Sequence, residues 1–151
     1  GNGMLLSKHI QLIGAFNHLH IFIDPNPDPK KSYSERKRMF KLSRSTWLDY
    51  NKDLISKGGG IFDRSAKTLS LSPEIKKRFG ISKTQVTPNE LIRILLMANS
   101  ELLWFGGIGT YIKAASESHL DAGDRANANY QRRADGLATS SKQIHPPDEG
   151  A

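Results

Sequence analysis

The amino-acid sequence predicts an α/β fold with parallel strands. An apolar run that favours a strand, HLHIFID, ends in Asp24. Further along, Thr87 and Glu90 have the spacing of a capping box, which starts an amphipathic helix. A second apolar run, Leu102–Phe105, follows that helix and is typical of a strand covered on both faces. Because strands that alternate with helices are typical of parallel sheets, we expect these two strands to share one sheet.

Helices are expected on both sides of the first strand. Apolar residues at helical spacing predict a helix over Met4–Phe16. The prolines of PNPDP, residues 25–29, are expected to end regular structure, because proline lacks an amide donor and fixes φ. Ser34 is expected to cap a helix over residues 35–42.

Two more helices are predicted before the capping box. Ser45 or Thr46 is expected to cap a helix over residues 47–57, which ends at three consecutive glycines. Ser72 precedes a proline at a first-turn position, and Gly80 follows as the residue that closes that helix.

Positive charge is concentrated in the middle of the chain. The net charge is +7, yet the segment Lys30–Lys83 carries +10, from fifteen Lys and Arg residues against five acidic ones, so the remainder carries −3. One alternative function is therefore a nucleic-acid-binding module that binds through Lys76, Lys77 and Arg78. No recognition helix or RNA-binding motif accompanies the charge, which favours a solvated surface, and nucleic acid is not the partner we expect.

Composition limits the remaining classes. The 151 residues suffice for one domain, and no apolar run approaches the ~18 residues that cross a bilayer, so no membrane contact is expected. The absence of cysteine excludes thiolate metal sites and cysteine nucleophiles and fits the cytoplasm. His18 and His20 face one side of a strand, but no third ligand is spaced to join them, so no metal is expected. From Ala128 the chain is polar and aperiodic, which predicts a disordered tail over residues 128–151.

A glycine pair and an acidic residue have the spacing of a dinucleotide site. Gly1 and Gly3 lie just before the first predicted helix, whose N-terminal amides would face a pyrophosphate. Asp24 ends the next strand about 20 residues later, where an acid accepts hydrogen bonds from a ribose. The alternative is that the glycines form a flexible terminus and that Asp24 belongs to a DPNPD turn.

A second glycine cluster follows the second predicted strand. Gly106 and Gly107 would lie at the carboxyl end of that strand, where α/β sheets bind ligands, and would let a nicotinamide–ribose approach the backbone. The alternative is a tight turn that needs positive φ. No nucleophile–base arrangement is recognisable, so we assign no catalytic residue.

Six blocks of sequence resemble one enzyme family. They occur in the family's order between Gly1 and about Asn127, which is most of the chain. In chain order they read GNGMLLS, HIFIDPNPDP, RSTWLDYNKDLISKGGGIFDRSAKTLSLSPE, TPNELIR, LLWFGGIGTYIKA and ESHLDAGDRAN. The family is that of the large bacterial NAD-specific glutamate dehydrogenases, in which these blocks lie in the NAD-binding domain of a very long polypeptide.

The resemblance implies a function and a fold. The fold is a partial Rossmann-like NAD-binding domain over residues 1–127, with a helical basic insertion at about 26–86. The full-length enzyme would convert L-glutamate to 2-oxoglutarate and ammonium with NAD as cofactor, and would be a homo-oligomer. Another α/β NAD-dependent dehydrogenase remains the alternative enzyme. The cofactor-binding residues implied are Gly1, Asn2, Gly3, Asp24, Gly106, Gly107 and Gly109.

The chain also departs from the family. The substrate domain and its catalytic residues are not present, so we expect a fragment that is inactive alone. After Asn127 the family pattern should continue into another strand and a glycine-asparagine turn, which residues 128–151 do not resemble. A shifted reading frame or a premature end is our hypothesis for that difference.

Overall fold

A central strand with helices packed against both of its faces organises the protein. The computed structural model describes residues 6–104, 110–113, 132–133 and 142–144. Strands β1 (Gly14–Phe16), β2 (His20–Ile23) and β3 (Gly60–Asp63) form one sheet, in which β2 lies in the middle. Both pairings are antiparallel, so the sheet differs from the parallel arrangement that the sequence predicts.

The alternation of side chains along β2 defines two cores. Ile21, Phe22 and Ile23 are all 0% exposed, as expected of a strand that is covered on both faces. Phe22 points to one face, where it packs with Met39 and Tyr50. The two isoleucines point to the other face and join a larger apolar core. The other buried members of that core are Leu69, Leu71, Ile75, Val86, Leu91, Ile92 and Leu96.

Helix α1 (Pro29–Phe40) covers the Phe22 face. Its N-cap is Asp28, whose side chain accepts hydrogen bonds from the amides of Lys30 at 2.9 Å and Lys31 at 3.1 Å. The prediction that Ser34 begins this helix is wrong. The last proline of PNPDP begins it instead, because proline at the first helical position loses no hydrogen bond.

Two helices cover the opposite face, and the sequence predicts both correctly. Helix α2 (Pro73–Phe79) begins after Ser72, whose hydroxyl accepts from the Ile75 amide at 3.1 Å, and it ends at Gly80 with φ +65°. Helix α3 (Pro88–Leu96) begins with the expected capping box. In that box the Glu90 amide donates to Thr87 Oγ1 at 3.2 Å, and the Thr87 amide donates to Glu90 Oε2 at 2.8 Å.

The helix predicted over residues 47–57 is replaced by two 3₁₀ turns, Trp47–Asp49 and Lys52–Leu54. Thr46 caps the first turn, as one of the two predicted choices. Tyr50, between the turns, has an extended backbone that takes its ring beneath Phe22, with ring centroids 4.8 Å apart. A continuous helix is interrupted here because this tertiary contact outweighs local propensity.

The predicted helix over Met4–Phe16 is also wrong within the described residues. Residues 6–13 form no regular element, and residues 14–16 are strand β1. A Cβ at Gly14 would lie 2.7 Å from Cδ2 of Leu95, so α3 packs closely against β1 here. Pairing with β2 and packing against α3 therefore override the helical spacing of the apolar residues.

The second predicted strand is not observed where it is described. Leu102–Trp104 lie outside any strand, and Leu102 and Trp104 are 56% and 40% exposed. They therefore do not share a sheet with β2, contrary to the prediction. Phe105 lies outside the described residues.

The other strands form two small sheets. Strands β4 (Leu69–Ser70) and β5 (Gln85–Val86) pair antiparallel, so the segment predicted as a helical insertion also contains strands. Strand β6 (Thr110–Lys113) pairs parallel with β7 (Arg132–Arg133) and antiparallel with β8 (Lys142–Ile144). Both β7 and β8 fall within the tail predicted as disordered. The described fold is thus a mixed α/β arrangement of small, mainly antiparallel sheets.

Candidate functional site

Asp24 directly follows the central strand β2 and is the one predicted cofactor residue that the structure describes. Its backbone amide donates to the Ile13 carbonyl at 3.0 Å, and the residue is only 1% exposed. Its Oδ1 atom accepts hydrogen bonds from the Ser56 amide at 3.2 Å, from the Ser56 hydroxyl, and from the Asn26 amide at 3.3 Å. No hydrogen bond within residues 6–104 reaches Oδ2 of this carboxylate. Within the described residues, hydrogen bonds therefore hold the Asp24 carboxylate through Oδ1 alone.

The remaining predicted cofactor residues lie outside the described part of the chain. These residues are Gly1, Asn2, Gly3, Gly106, Gly107 and Gly109. Their assignments stay predictions.

A glycine loop holds Ser56 against Asp24. A Cβ at Gly59 would lie 2.6 Å from the Ile23 carbonyl oxygen and 2.9 Å from Pro25 Cδ, so only glycine lets this loop approach the end of β2. Gly58 has φ +80°, and its carbonyl accepts a hydrogen bond from the Ser72 hydroxyl at 2.7 Å. The loop is thus fixed between the end of β2 and the start of α2.

An ion pair on the α1 face joins the buried Glu35 to the half-exposed Arg38. Glu35 accepts hydrogen bonds from Arg38 Nε at 2.9 Å and Nη2 at 2.6 Å, and from the Asn51 amide at 2.7 Å. The Arg38 hydrogen bond is the main cause that lowers the pKa of Glu35 below its ordinary value, and burial opposes it. This pair joins α1 to the residues between the two 3₁₀ turns.

Arg36 connects α1 to the chain that precedes the sheet. The side chain is 1% exposed, and its Nη2 donates to the carbonyls of Ser7 at 3.3 Å and Ile10 at 3.2 Å, while Nε donates to the Ser32 carbonyl at 3.2 Å. Burial lowers the pKa of Arg36. The guanidinium thereby fixes residues 7–10, which follow the predicted pyrophosphate loop at positions 1–3 after three intervening residues.

Tyr50 brings a hydroxyl into the same polar region. Burial is the main cause that raises its pKa, and the charges of Asp24 and Glu35 raise it further. Its ring and that of Trp47 both pack on Phe22, with centroid distances of 4.8 Å. Tyr50 is therefore a buried member of this core, and Trp47 packs against it.

Several positively charged side chains of the segment Lys30–Lys83 interact with other groups of the protein. Arg36 is buried, and Arg38 pairs with Glu35. The other ion pairs described join Lys57 to Glu74 at 3.6 Å and Lys83 to Glu90 at 3.0 Å. Lys76, Lys77 and Arg78 occupy the last turn of α2, where cations stabilise the helix dipole. The structure thus gives a structural role to charges that the nucleic-acid alternative would use.

No group of three or more His, Cys, Asp or Glu residues within the described residues is arranged to hold a metal ion. No helix found there is long and apolar enough to cross a membrane.

Sequence reasoning missed Ser56, Glu35 and Arg36. Ser56 lies 32 residues from Asp24, so no local spacing relates the two. The three glycines at positions 58–60 indicate, by local pattern, only the end of a helix. A run of three glycines is the one local signal for this loop, because repeated glycines also mark places where backbone segments approach closely.

Comparison with known proteins identifies the family to which this chain belongs. The chain matches the family described as bacterial NAD-glutamate dehydrogenase, catalytic domain, over residues 1–145. The chain therefore belongs to this family. The match extends beyond Asn127, where the sequence resemblance was expected to end, so part of the final segment follows the family after all.

Three relatives are each named NAD-specific glutamate dehydrogenase. The protein of Halomonas elongata is 57% identical over 127 residues, or 84% of this chain. That of Pseudomonas aeruginosa is 53% identical over 144 residues, or 95% of this chain, and that of Mycobacterium tuberculosis is 55% identical over 133 residues, or 84%. The chain spans 8% of the length of each relative.

Proposed function

We propose that the protein is part of an NAD-dependent glutamate dehydrogenase. The complete polypeptide would oxidatively deaminate L-glutamate to 2-oxoglutarate and ammonium, with hydride transfer to NAD. The observation that carries this proposal is the family match over residues 1–145, together with 53–57% identity to three relatives that bear this name. The match covers nearly the whole chain, which makes it far more specific than any single glycine motif.

The role proposed for this segment is to bind and orient the cofactor. Asp24 would accept a hydrogen bond from the adenosine ribose through Oδ2, because Oδ1 already accepts three hydrogen bonds from the protein. A carboxylate at this point repels a 2′-phosphate, which favours NAD over NADP. The Rossmann-like fold that the family resemblance implies is part of this proposal for the complete polypeptide, whereas the described sheet β1–β3 is antiparallel.

The glycines complete the proposed cofactor site. Gly1, Asn2 and Gly3 would contact the pyrophosphate, while Gly106, Gly107 and Gly109 would lie near the nicotinamide. When bound, the nicotinamide supplies the hydride acceptor, and the chain's own residues hold it in place. The partners proposed for the complete polypeptide are L-glutamate, 2-oxoglutarate and further copies of itself, in the cytoplasm.

The test is glutamate-dependent NADH formation by the complete polypeptide that carries these residues. We expect activity with NAD, weaker activity with NADP, and none from the 151-residue chain alone. Activity with another amino acid or a hydroxy acid, and none with glutamate, would favour the alternative dehydrogenase.

The same assay tests Asp24. Asp24→Ala should raise the KM for NAD about 10- to 100-fold, since a hydrogen bond to a charged group contributes ~1.5–3 kcal/mol. Discrimination against NADP should decrease as well, because the repulsive charge is lost. An unchanged KM for NAD in a folded variant would show that Asp24 is purely structural.

A further inference from the structure

We propose that Ser56 is a positioning residue for Asp24, which fixes one carboxylate oxygen and leaves the other for the cofactor. This inference depends on the proposed function, in which Asp24 contacts the ribose. It assigns a specific task to a serine that has no part in the glycine motifs.

The hydrogen bonds at Ser56 set the direction of its hydroxyl proton. Its Oγ accepts from the Asn26 amide at 3.0 Å, which uses one of the two lone pairs of the hydroxyl. The proton then points to Oδ1 of Asp24, and the Ser56 amide donates to the same oxygen at 3.2 Å. One residue therefore supplies two donors to one oxygen, and the carboxylate is held in a single orientation.

The position of Ser56 is itself fixed by packing. Gly59 lies against the backbone of Ile23 and Pro25 with no room for a side chain, and the Gly58 carbonyl is bound by Ser72. Because the loop is anchored at the end of β2 and at the start of α2, the two donors are in place before any ligand binds. Such preorganisation lowers the cost of ordering a binding group.

A second aspartate–serine pair provides a matched control. Asp63, which ends β3, accepts from the Ser65 amide and from the Ser65 hydroxyl, both at 2.7 Å. This pair is exposed and spans only two residues. Ser65→Ala therefore removes the same chemical contact at a place where no cofactor is expected.

The experiment measures KM and kcat for NAD in the complete polypeptide at saturating glutamate. Ser56→Ala should raise the KM for NAD about tenfold, the effect of losing one hydrogen bond to a charged group, with kcat changed less than about twofold. Ser56→Thr, which keeps the hydroxyl, and the control Ser65→Ala should both stay within about twofold of the unsubstituted enzyme. Discrimination against NADP should decrease in Ser56→Ala alone.

Other results would overturn the inference. One is a KM for NAD in Ser56→Ala that equals that of Ser65→Ala, and another is a fall in thermal stability and kcat with the KM unchanged, which indicates a purely structural contact. If Ser56→Ala does not fold, Ser56→Cys, a weak donor of similar size, is judged by the same KM. Absence of glutamate-dependent NAD reduction in the unsubstituted polypeptide would instead refute the proposed function, and this inference with it.

Discussion

The two faces of the central sheet are built differently. The face covered by α2 and α3 has a core of nine buried apolar residues and no buried charge among its members. The face covered by α1 has three buried core residues, Phe22, Met39 and Tyr50. The buried polar residues described in the chain lie in α1 or directly after β2. They are Asp24, Ser32, Glu35 and Arg36.

The two faces therefore contribute differently: one mainly to the stability of the fold, the other to the positions of particular residues. Burial of apolar surface contributes roughly 25 cal/mol per Å² and does not depend on direction, so the α2 and α3 face mainly stabilises the fold. Buried polar groups cost free energy unless their hydrogen bonds are made, and those bonds require defined geometry. Hydrogen bonds of buried polar groups therefore fix the position of Asp24, through Ser56, and of residues 7–10, through Arg36 of α1.

The largest expected effect is on the apolar face. Leu91→Ala removes a side chain that is 0% exposed in α3, and it should lower the free energy of unfolding by about 3 kcal/mol, from lost burial and the cavity that remains. Denaturant unfolding measures this change. Met97→Ala, at a side chain that is 56% exposed, is the control and should change stability by less than about 0.5 kcal/mol. Equal effects would contradict the assigned core.

A smaller effect, with a pH dependence, is expected on the polar face. Glu35→Gln should lower stability by about 1–3 kcal/mol at neutral pH, because the charged hydrogen bonds with Arg38 are weakened. The pKa of Glu35 is lowered in the folded state, so its contribution is present above the ordinary value of 4.5 and is lost as pH falls through the lower folded value. The difference in stability between the unsubstituted protein and Glu35→Gln should therefore become smaller at acidic pH. A difference that stays constant with pH would argue against the ion pair.

The smallest expected effect on stability distinguishes backbone strain from steric crowding at two glycines. Gly58 and Gly80 both have positive φ, at +80° and +65°. A Cβ at Gly58 would collide with the side chains of Glu74 and Ser72, whereas nothing lies within 4 Å of one at Gly80. Gly80→Ala should cost about 1 kcal/mol from strain alone, and Gly58→Ala about 1–2 kcal/mol from strain and crowding together. Thermal unfolding of the two variants compares them, and equal losses would mean that the loop is free to adjust.

The sequence predicted those parts of the fold that depend on contacts within a few residues. The caps of α2 and α3 are examples, since Ser72 and Ile75, or Thr87 and Glu90, are three residues apart. It failed where distant segments compete with local preference. Residues 14–16 are a strand because β2 pairs with them, and the helix predicted over residues 47–57 is interrupted because Tyr50 enters the core.

The candidate site divides in the same way. Asp24 was identified from its place at the end of an apolar run, and the order of the sequence blocks indicated the family that the comparison confirms. Ser56 was not identified, because 32 residues separate it from Asp24 and only the folded loop brings them together.

The sequence by itself determined the family, the caps of α2 and α3, and the central strand, because cap hydrogen bonds and apolar runs are encoded locally. Only the tertiary structure decided the antiparallel direction of the sheet and the buried contacts of Asp24 and Arg36. Those features depend on which distant segments bury the same surface and satisfy the same polar groups, and no local pattern contains that information.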